Sequence, residues 1–419
     1  MDLETASATP IDTEPRSPGP GAEALEVQIA EVGDALLSSL RNVLSAVPRS
    51  NPGPQALART LGVDKVLASR VLKATRSRDP MTATHCMPGP DPLRRLVKAA
   101  SKKGASAAMI ADATAAIDQF EMLIRERVGD RSILDAILSA WVPDARREFE
   151  LRRKQAAFKA MSQLRGVQTD IILSTVVLNP SPGGRHIDVI WVNGLIGVHR
   201  VRPGVSVKIS TRRMIRDGQE RRPVSLDGQS VEHMDGLQLP EFCSEPLPRM
   251  RVHQVGEVVH YTLAEDGFGP NSGVDVVFAE ANIAELPRYF PAGSDRKSYF
   301  FAEMVTPARL SHFDVLVHED LFPGQDPALR IYDTSFEGVA SPNNASRDMD
   351  QLDLMESLEP LGLGNSRFRS VDVPRYGELL RHTFEKLRFD GSRFRGYRCR
   401  TDYPVYGSQV TAVFRAQEE

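Results

Sequence analysis

The hydrophobic period of this chain changes once, near Gly166, and that change decides the fold class. Before it, apolar residues recur every three or four positions, the period of a helix with one buried stripe. Leu25, Ile29, Val32, Leu36, Leu37, Leu40, Val43, Leu44 and Val47 form the clearest run. After it, Val- and Ile-rich segments separated by Gly/Pro turns follow the period of strands. A chain that does this in blocks is α+β: an N-terminal helical region of about 165 residues, then a β-rich α+β region of about 250.

Within the helical block, Pro48 stops the first helix and Pro54 suits the first position of the next, where a missing N–H is harmless. Further helices are predicted over Leu93–Lys102, Ala105–Val128, Ser132–Trp141 and Asp144–Arg165, the last with Phe149, Phe158, Met161 and Leu164 in one stripe. Met81–Pro90 reads as extended and closes in a Pro-Gly-Pro turn. Strands are predicted at Thr169–Leu178, Ile187–Val192, Leu195–Val201, Ser206–Thr211, Glu257–Leu263, Val274–Ala279, Phe313–His318, Ala328–Tyr332 and Gln409–Phe414. One late helix is expected at Tyr376–Leu387, and Ser341–Ser370 reads as a long loop with one short helix. The expected division is a disordered tail (1–22), a first helical domain (23–90), a helical linker or dimerisation region (91–166) and a β-rich α+β domain (167–419).

The acidic, Pro/Gly/Ser-rich stretch Met1–Gly21 has no apolar core and reads as a tail, not a signal peptide. No apolar run reaches the length of a membrane span. Cys86, Cys243 and Cys399 are far apart and form no CxxC pair, which argues against a disulfide framework or zinc site and fits a reducing cytoplasm. The formal net charge of −3 makes any polyanion footprint a local matter.

Such a footprint lies between Gly53 and Lys103, where eleven Lys/Arg stand against three Asp. Leu57, Ala58 and Leu61 mark the inner face of one helix; Gly62 permits the chain reversal, Val63 is a turn residue, and Asp64 is a good N-cap. In the helix that follows, Leu67, Ala68, Val71 and Leu72 face inward and leave Lys65, Val66, Ser69, Arg70 and Lys73 outside, with Arg76 following. The run Leu57-Ala-Arg-Thr-Leu-Gly-Val-Asp-Lys-Val-Leu-Ala-Ser-Arg-Val-Leu72 resembles the helix-turn-helix of bacterial transcription regulators, especially winged-helix types with a helix before the motif. The resemblance covers roughly Leu36–Met87 and departs from the usual pattern at Ala68 and at Val66-Leu67. It implies that Lys65, Val66, Ser69 and Arg70 occupy groove-facing positions, with Lys73 and Arg76 beside the phosphates and Met81–Met87 as a wing strand.

Other constellations read more plainly. His312, Asp314, Leu316 and His318 share one face of a strand, expected to be solvated. His253, Glu257 and His260 lie in strand sequence, which does not suit a helical zinc-protease motif. Gly267–Gly273 is a hairpin loop whose Pro270 excludes a phosphate-binding helix start. Two Arg patches, Arg212/Arg213/Arg216/Arg221/Arg222 and Arg393/Arg395/Arg398/Arg400 with Phe394 and Tyr397, read as solvated edges.

The sequence thus leads to a cytoplasmic, non-enzymatic transcriptional regulator without cofactor or metal. Its expected partners are double-stranded DNA, a second copy of the chain as a homodimer, and a small-molecule effector or protein at the C-terminal region. The alternative is a scaffold protein whose N-terminal helices bind a protein.

Overall fold

A computed structural model describes residues 20–48, 53–213, 215–216, 219–220, 223–256, 258–264 and 267–418. The tail expected over 1–22 lies outside them up to residue 19. The chain forms two compact units, Met1–Phe149 and Glu150–Glu419. As expected, helices come first and several sheets follow.

The first unit contains α1 (Pro20–Ser45), α2 (Pro54–Leu61), α3 (Lys65–Arg76), α4 (Pro80–Cys86), α5 (Pro90–Ser101), α6 (Ala107–Met122) and α7 (Arg131–Ser139). α6 widens into a π-helical turn at Leu123–Val128. One apolar cluster joins these helices, from Ile29, Leu36 and Leu40 through Leu57, Val71 and Leu96 to Phe120 and Leu138. The core therefore runs across residue 90 instead of ending there.

Met81–Met87 is a correction to the sequence reading. It is helical, and no strand occurs among the described residues of this unit. The Asp79 carboxylate accepts from the Thr82 N–H at 2.7 Å, and Pro80 occupies the first turn, so a capped helix forms where a wing was expected. α4 lies close against α1 at Gly33: a Cβ there would meet Thr84 Oγ1 at 2.2 Å and the Pro80 carbonyl oxygen at 2.9 Å.

The last helix of this block, α8 (Pro143–Arg165), contains the division between the units. In the second unit its Phe158 is buried as expected, but Leu164 is exposed. A six-stranded sheet carries this unit, built from β1 (Val167–Pro180), β2 (His186–Arg200), β6 (Val274–Pro287), β8 (Ala308–His318), β10 (Glu359–Leu363) and β11 (Phe394–Asp402). Its order is β10-β11-β8-β1-β2-β6, with β1 and β8 parallel and the other neighbours antiparallel. β7 (Lys297–Glu303), β12 (Ser408–Arg415) and β9 (Ala328–Asp333) make a second sheet in that order. β3 (Lys208–Arg213), β5 (Val258–Leu263) and β4 (Met250–Val255) make a third, ordered β3-β5-β4. Gly267–Gly273 connects β5 to β6, strands of different sheets, so it is not a hairpin loop.

Alternation along β1 sends the two faces of the large sheet to different neighbours. Ile172, Val176 and Leu178 pack with Phe300, Val410 and Phe414 of the second sheet. Ile171, Leu173 and Val177 pack with Tyr376, Leu380 and Phe384 of α9 (Tyr376–Leu387). The large sheet is thus a middle layer, a helix on one side and a sheet on the other.

Gly33→Ala is expected to destabilise the first unit by about 1–3 kcal/mol, because α4 must retreat from α1. Urea denaturation followed by helical circular dichroism checks this; an unchanged midpoint would show that the close approach carries no weight.

Candidate nucleic-acid interface

α2 and α3 are joined by three residues. Gly62 ends α2 in the left-handed region (φ 65°, ψ 33°), where its missing Cβ avoids strain, and its N–H bonds back to the Ala58 carbonyl. Val63 follows, partly buried against the core. Asp64 then accepts from the Leu67 N–H at 2.8 Å and starts α3. Leu57, Ala58 and Leu61 on α2 and Leu67, Ala68, Val71 and Leu72 on α3 are buried, so the inner faces are those read from the sequence.

The outer face follows by exclusion. Lys65, Ser69, Lys73 and Arg76 succeed one another at spacings of four and three along an exposed row of α3, and Val66 and Arg70 form the adjoining row. Val66 is 69% exposed, an apolar side chain left in water at the start of the helix. Arg70 donates to the Met87 carbonyl at 3.1 Å, which ties α3 to the end of α4. Arg41 of α1 donates to the carbonyls of Thr75 and Ser77 at 2.8 and 2.5 Å, closing the C-terminus of α3. The six side chains named from the sequence are thus brought onto one exposed surface. Arg41 was missed; its signal was an exposed cation on the helix preceding the motif.

Not every cation in the local excess is available. Arg94 bonds Asp118 at 2.7 Å and also Glu121, clamping α5 to α6. Arg59, Arg78, Arg95, Lys98, Lys102 and Lys103 are exposed.

In the second unit, His312, Asp314 and His318 correct the expectation of a solvated face: all three are buried. β8 is an interior strand, and α9 covers this face. Arg398 on neighbouring β11 grips the Asp314 carboxylate with two nitrogens, at 2.8 and 2.7 Å. The Tyr376 hydroxyl donates to the same carboxylate at 2.7 Å and lies 2.9 Å from Thr175 Oγ1. His312 stacks edge-on against Tyr376. Burial alone would raise the Asp314 pKa, but the two-nitrogen bond from the Arg398 guanidinium holds it below the usual carboxylate range. Burial, with the Asp314 charge beside it, pushes the Tyr376 hydroxyl well up, so it stays a donor.

The same geometry corrects the second Arg patch. β11 lies inside the sheet, not at a solvated edge. Arg395 donates to the Leu321 and Phe322 carbonyls, Arg400 pairs with Asp372 and Asp402, and Arg393 pairs with Glu319 and Asp320. Arg395 is thus tied to the segment after β8, while Arg393 and Arg400 stay exposed and pair at the surface. In the first Arg patch, Arg221 and Arg222 and the side chains of Arg212, Arg213 and Arg216 lie outside the described residues. His253 and His260 face each other across the β4–β5 pair, and no group of three potential metal ligands occurs among the described residues. Among them, Cys86, Cys243 and Cys399 are free thiols.

Comparison with known proteins adds little. No family model matches the chain, and no curated protein matches it. A solved structure from Parabacteroides distasonis, described as a putative protease, aligns over 59% of this chain at 10% identity with a TM-score of 0.22. The alignment spans 40% of that protein's length. At that score the likeness carries no argument about fold or activity.

Asp314→Ala is expected to destabilise the second unit by about 3–5 kcal/mol, since it strands a largely buried guanidinium. Because the folded-state pKa of Asp314 is depressed, its contribution is full above the ordinary carboxylate pKa and fades as pH falls through the lower folded value. Urea midpoints of wild type and variant should therefore converge in strong acid; a constant gap would contradict this role.

Proposed function

We propose that this protein is a DNA-binding regulator whose α3 enters the major groove, and whose C-terminal unit senses a ligand or mediates assembly. The observation that carries this reading is the α2–α3 pair: a three-residue turn, a buried inner face, and an outer face bearing Lys65, Val66, Ser69, Arg70, Lys73 and Arg76.

Each residue type has a task in this arrangement. Arg70 carries the planar fork that suits guanine or a phosphate. Lys65 stands at the N-terminal end of α3, the end from which recognition helices reach base edges. Val66 is apolar and exposed, which suits contact with a thymine methyl. Ser69, Lys73 and Arg76 suit the sugar–phosphate backbone. α4 in place of a wing removes the usual second contact of winged proteins, and further backbone contacts fall to the exposed Arg59 on α2 and Arg95 and Lys98 on α5. One short helix reads few base pairs, so a homodimer presenting two α3 helices about 34 Å apart is the expected binding form.

Anisotropy titrations of labelled duplex DNA, between about 50 and 200 mM salt, test the reading. Lys65→Ala and Lys73→Ala should each weaken binding and lower the salt slope by about one. Arg70→Ala should weaken binding and relax sequence preference, with Lys159→Ala on α8 as the neutral control. Unchanged affinity in all three α3 variants would refute α3 as the DNA-contacting element.

A further inference from the structure

We propose that the cleft between residues 365–370 and the first turns of α9 binds a phosphate-bearing small molecule. This rests on the ligand-sensing part of the reading above and gives it a place and a chemistry.

The cleft has a volume of about 470 Å³, within the range of small-molecule sites. Its walls come from residues 365–381 alone, a run described throughout, so every charge in the lining is accounted for. Three guanidiniums, Arg369, Arg375 and Arg381, stand against one carboxylate, Glu378. Arg375 already neutralises Glu378, donating to it at 2.8 Å and to the Glu241 carbonyl at 2.6 Å. Asp372, on the loop before α9, is held by Arg400 at 2.9 and 3.2 Å. That leaves Arg369, whose guanidinium has no partner among the described residues, and Arg381, which meets Glu385 only at 4.0 Å. Two uncommitted guanidiniums, one on each wall, favour an anion.

The neighbouring donors choose which anion. Ser370 Oγ accepts from the N–H groups of Asp372 and Val373, both at 3.1 Å, which occupies its lone pairs and leaves its O–H to donate. Gly377 lies in the first turn of α9, where no side chain caps the helix, and nothing stands within 4 Å of the place its Cβ would take. Its N–H is open to a ligand. Two arginine forks, a hydroxyl and an N–H make about six donors, more than the roughly four lone-pair sites of a flat carboxylate. A phosphate monoester suits them better, with three terminal oxygens and about two negative charges at neutral pH.

Both walls are held from beneath by the Asp314 network. Arg398, which grips Asp314, also donates to the Arg369 carbonyl at 2.6 Å. Tyr376, which donates to the same carboxylate, is the first residue of α9. The network thus fixes the loop bearing Arg369 against the start of the helix bearing Arg381. A buried ion pair often adds little stability over apolar residues of similar volume; holding two walls of a binding cleft in register gives this one a use.

Phenyl phosphate, phthalate and phenol, which share one ring, are titrated into the full chain by calorimetry. Phthalate carries two flat carboxylates, and phenol is neutral. Phenyl phosphate should bind saturably and at least about tenfold more tightly than phthalate, with no binding of phenol. Arg369→Ala and Arg381→Ala should each weaken phenyl phosphate about fivefold or more. Arg415→Ala, an exposed arginine at the end of β12, should leave it unchanged. Absence of saturable binding, equal or tighter binding of phthalate or phenol, indifference to either cleft variant, or an equal loss in Arg415→Ala would overturn the proposal. No DNA is present in these titrations, so failure here is distinguishable from failure of DNA binding.

Discussion

The outward face of α3 is decided by the three residues that precede it. Gly62 reverses the chain in a conformation that side-chain-bearing residues resist, Val63 anchors the turn partly buried, and Asp64 caps the new helix at the Leu67 N–H. With the start of α3 set there, Leu67, Ala68, Val71, Leu72 and Ala74 are buried in the core shared with α1 and α2, and Lys65, Val66, Ser69, Lys73 and Arg76 are left exposed. Shifting the turn by one residue would rotate α3 by about 100° and turn inward either Ser69 and Lys73 or Val66 and Arg70. The exposed cationic row therefore depends on a backbone turn and a cap as much as on the cations themselves. Arg41 and Arg70 then tie the helix to α1 and to the end of α4 through backbone carbonyls.

The second unit rests on a different kind of constraint. A six-stranded sheet with a helix on one face and a sheet on the other has little room for charge, yet Asp314, Arg398, Tyr376 and Thr175 meet beneath α9. Their bonds satisfy the Asp314 carboxylate and join β1, β8, β11 and α9 through side chains distant in sequence. On the opposite face Ser174 of β1 donates to Asn193 of β2 at 2.8 Å, beside Trp191 and Phe278.

Helices and strands were legible wherever periodicity was strong, and so was the inner face of α2 and α3. What misled was local sequence whose partner lay far away. His312, Asp314 and His318 alternate with apolar residues as a half-solvated strand would, and nothing near them announces Arg398, which is 84 residues away. The Arg residues of β11 read as an edge for the same reason. Met81–Met87 read as extended because it is short and carries Thr82 and Thr84, although Asp79-Pro80 is a helix-start signal. Ile187–Val192 and Leu195–Val201 read as two strands with Gly194 between them. Gly194 lies within one strand, where β6 passes so close that a Cβ would stand 2.8 Å from the Val276 carbonyl oxygen. β4, β7, β10 and β11 went unread as strands: β4 and β10 are mostly exposed, β10 lies within the expected loop Ser341–Ser370, and β11 is dense in Arg.

The account turns on α3 lying in a groove, and a cleavage reagent on that helix asks this directly. Iron–EDTA tethered at Ser69→Cys should cut both strands within the bound DNA site, whereas the same reagent at Leu164→Cys, exposed on α8, should give no localised cutting. DNA binding that persists with no cleavage from position 69, or with cleavage centred on position 164, would contradict it.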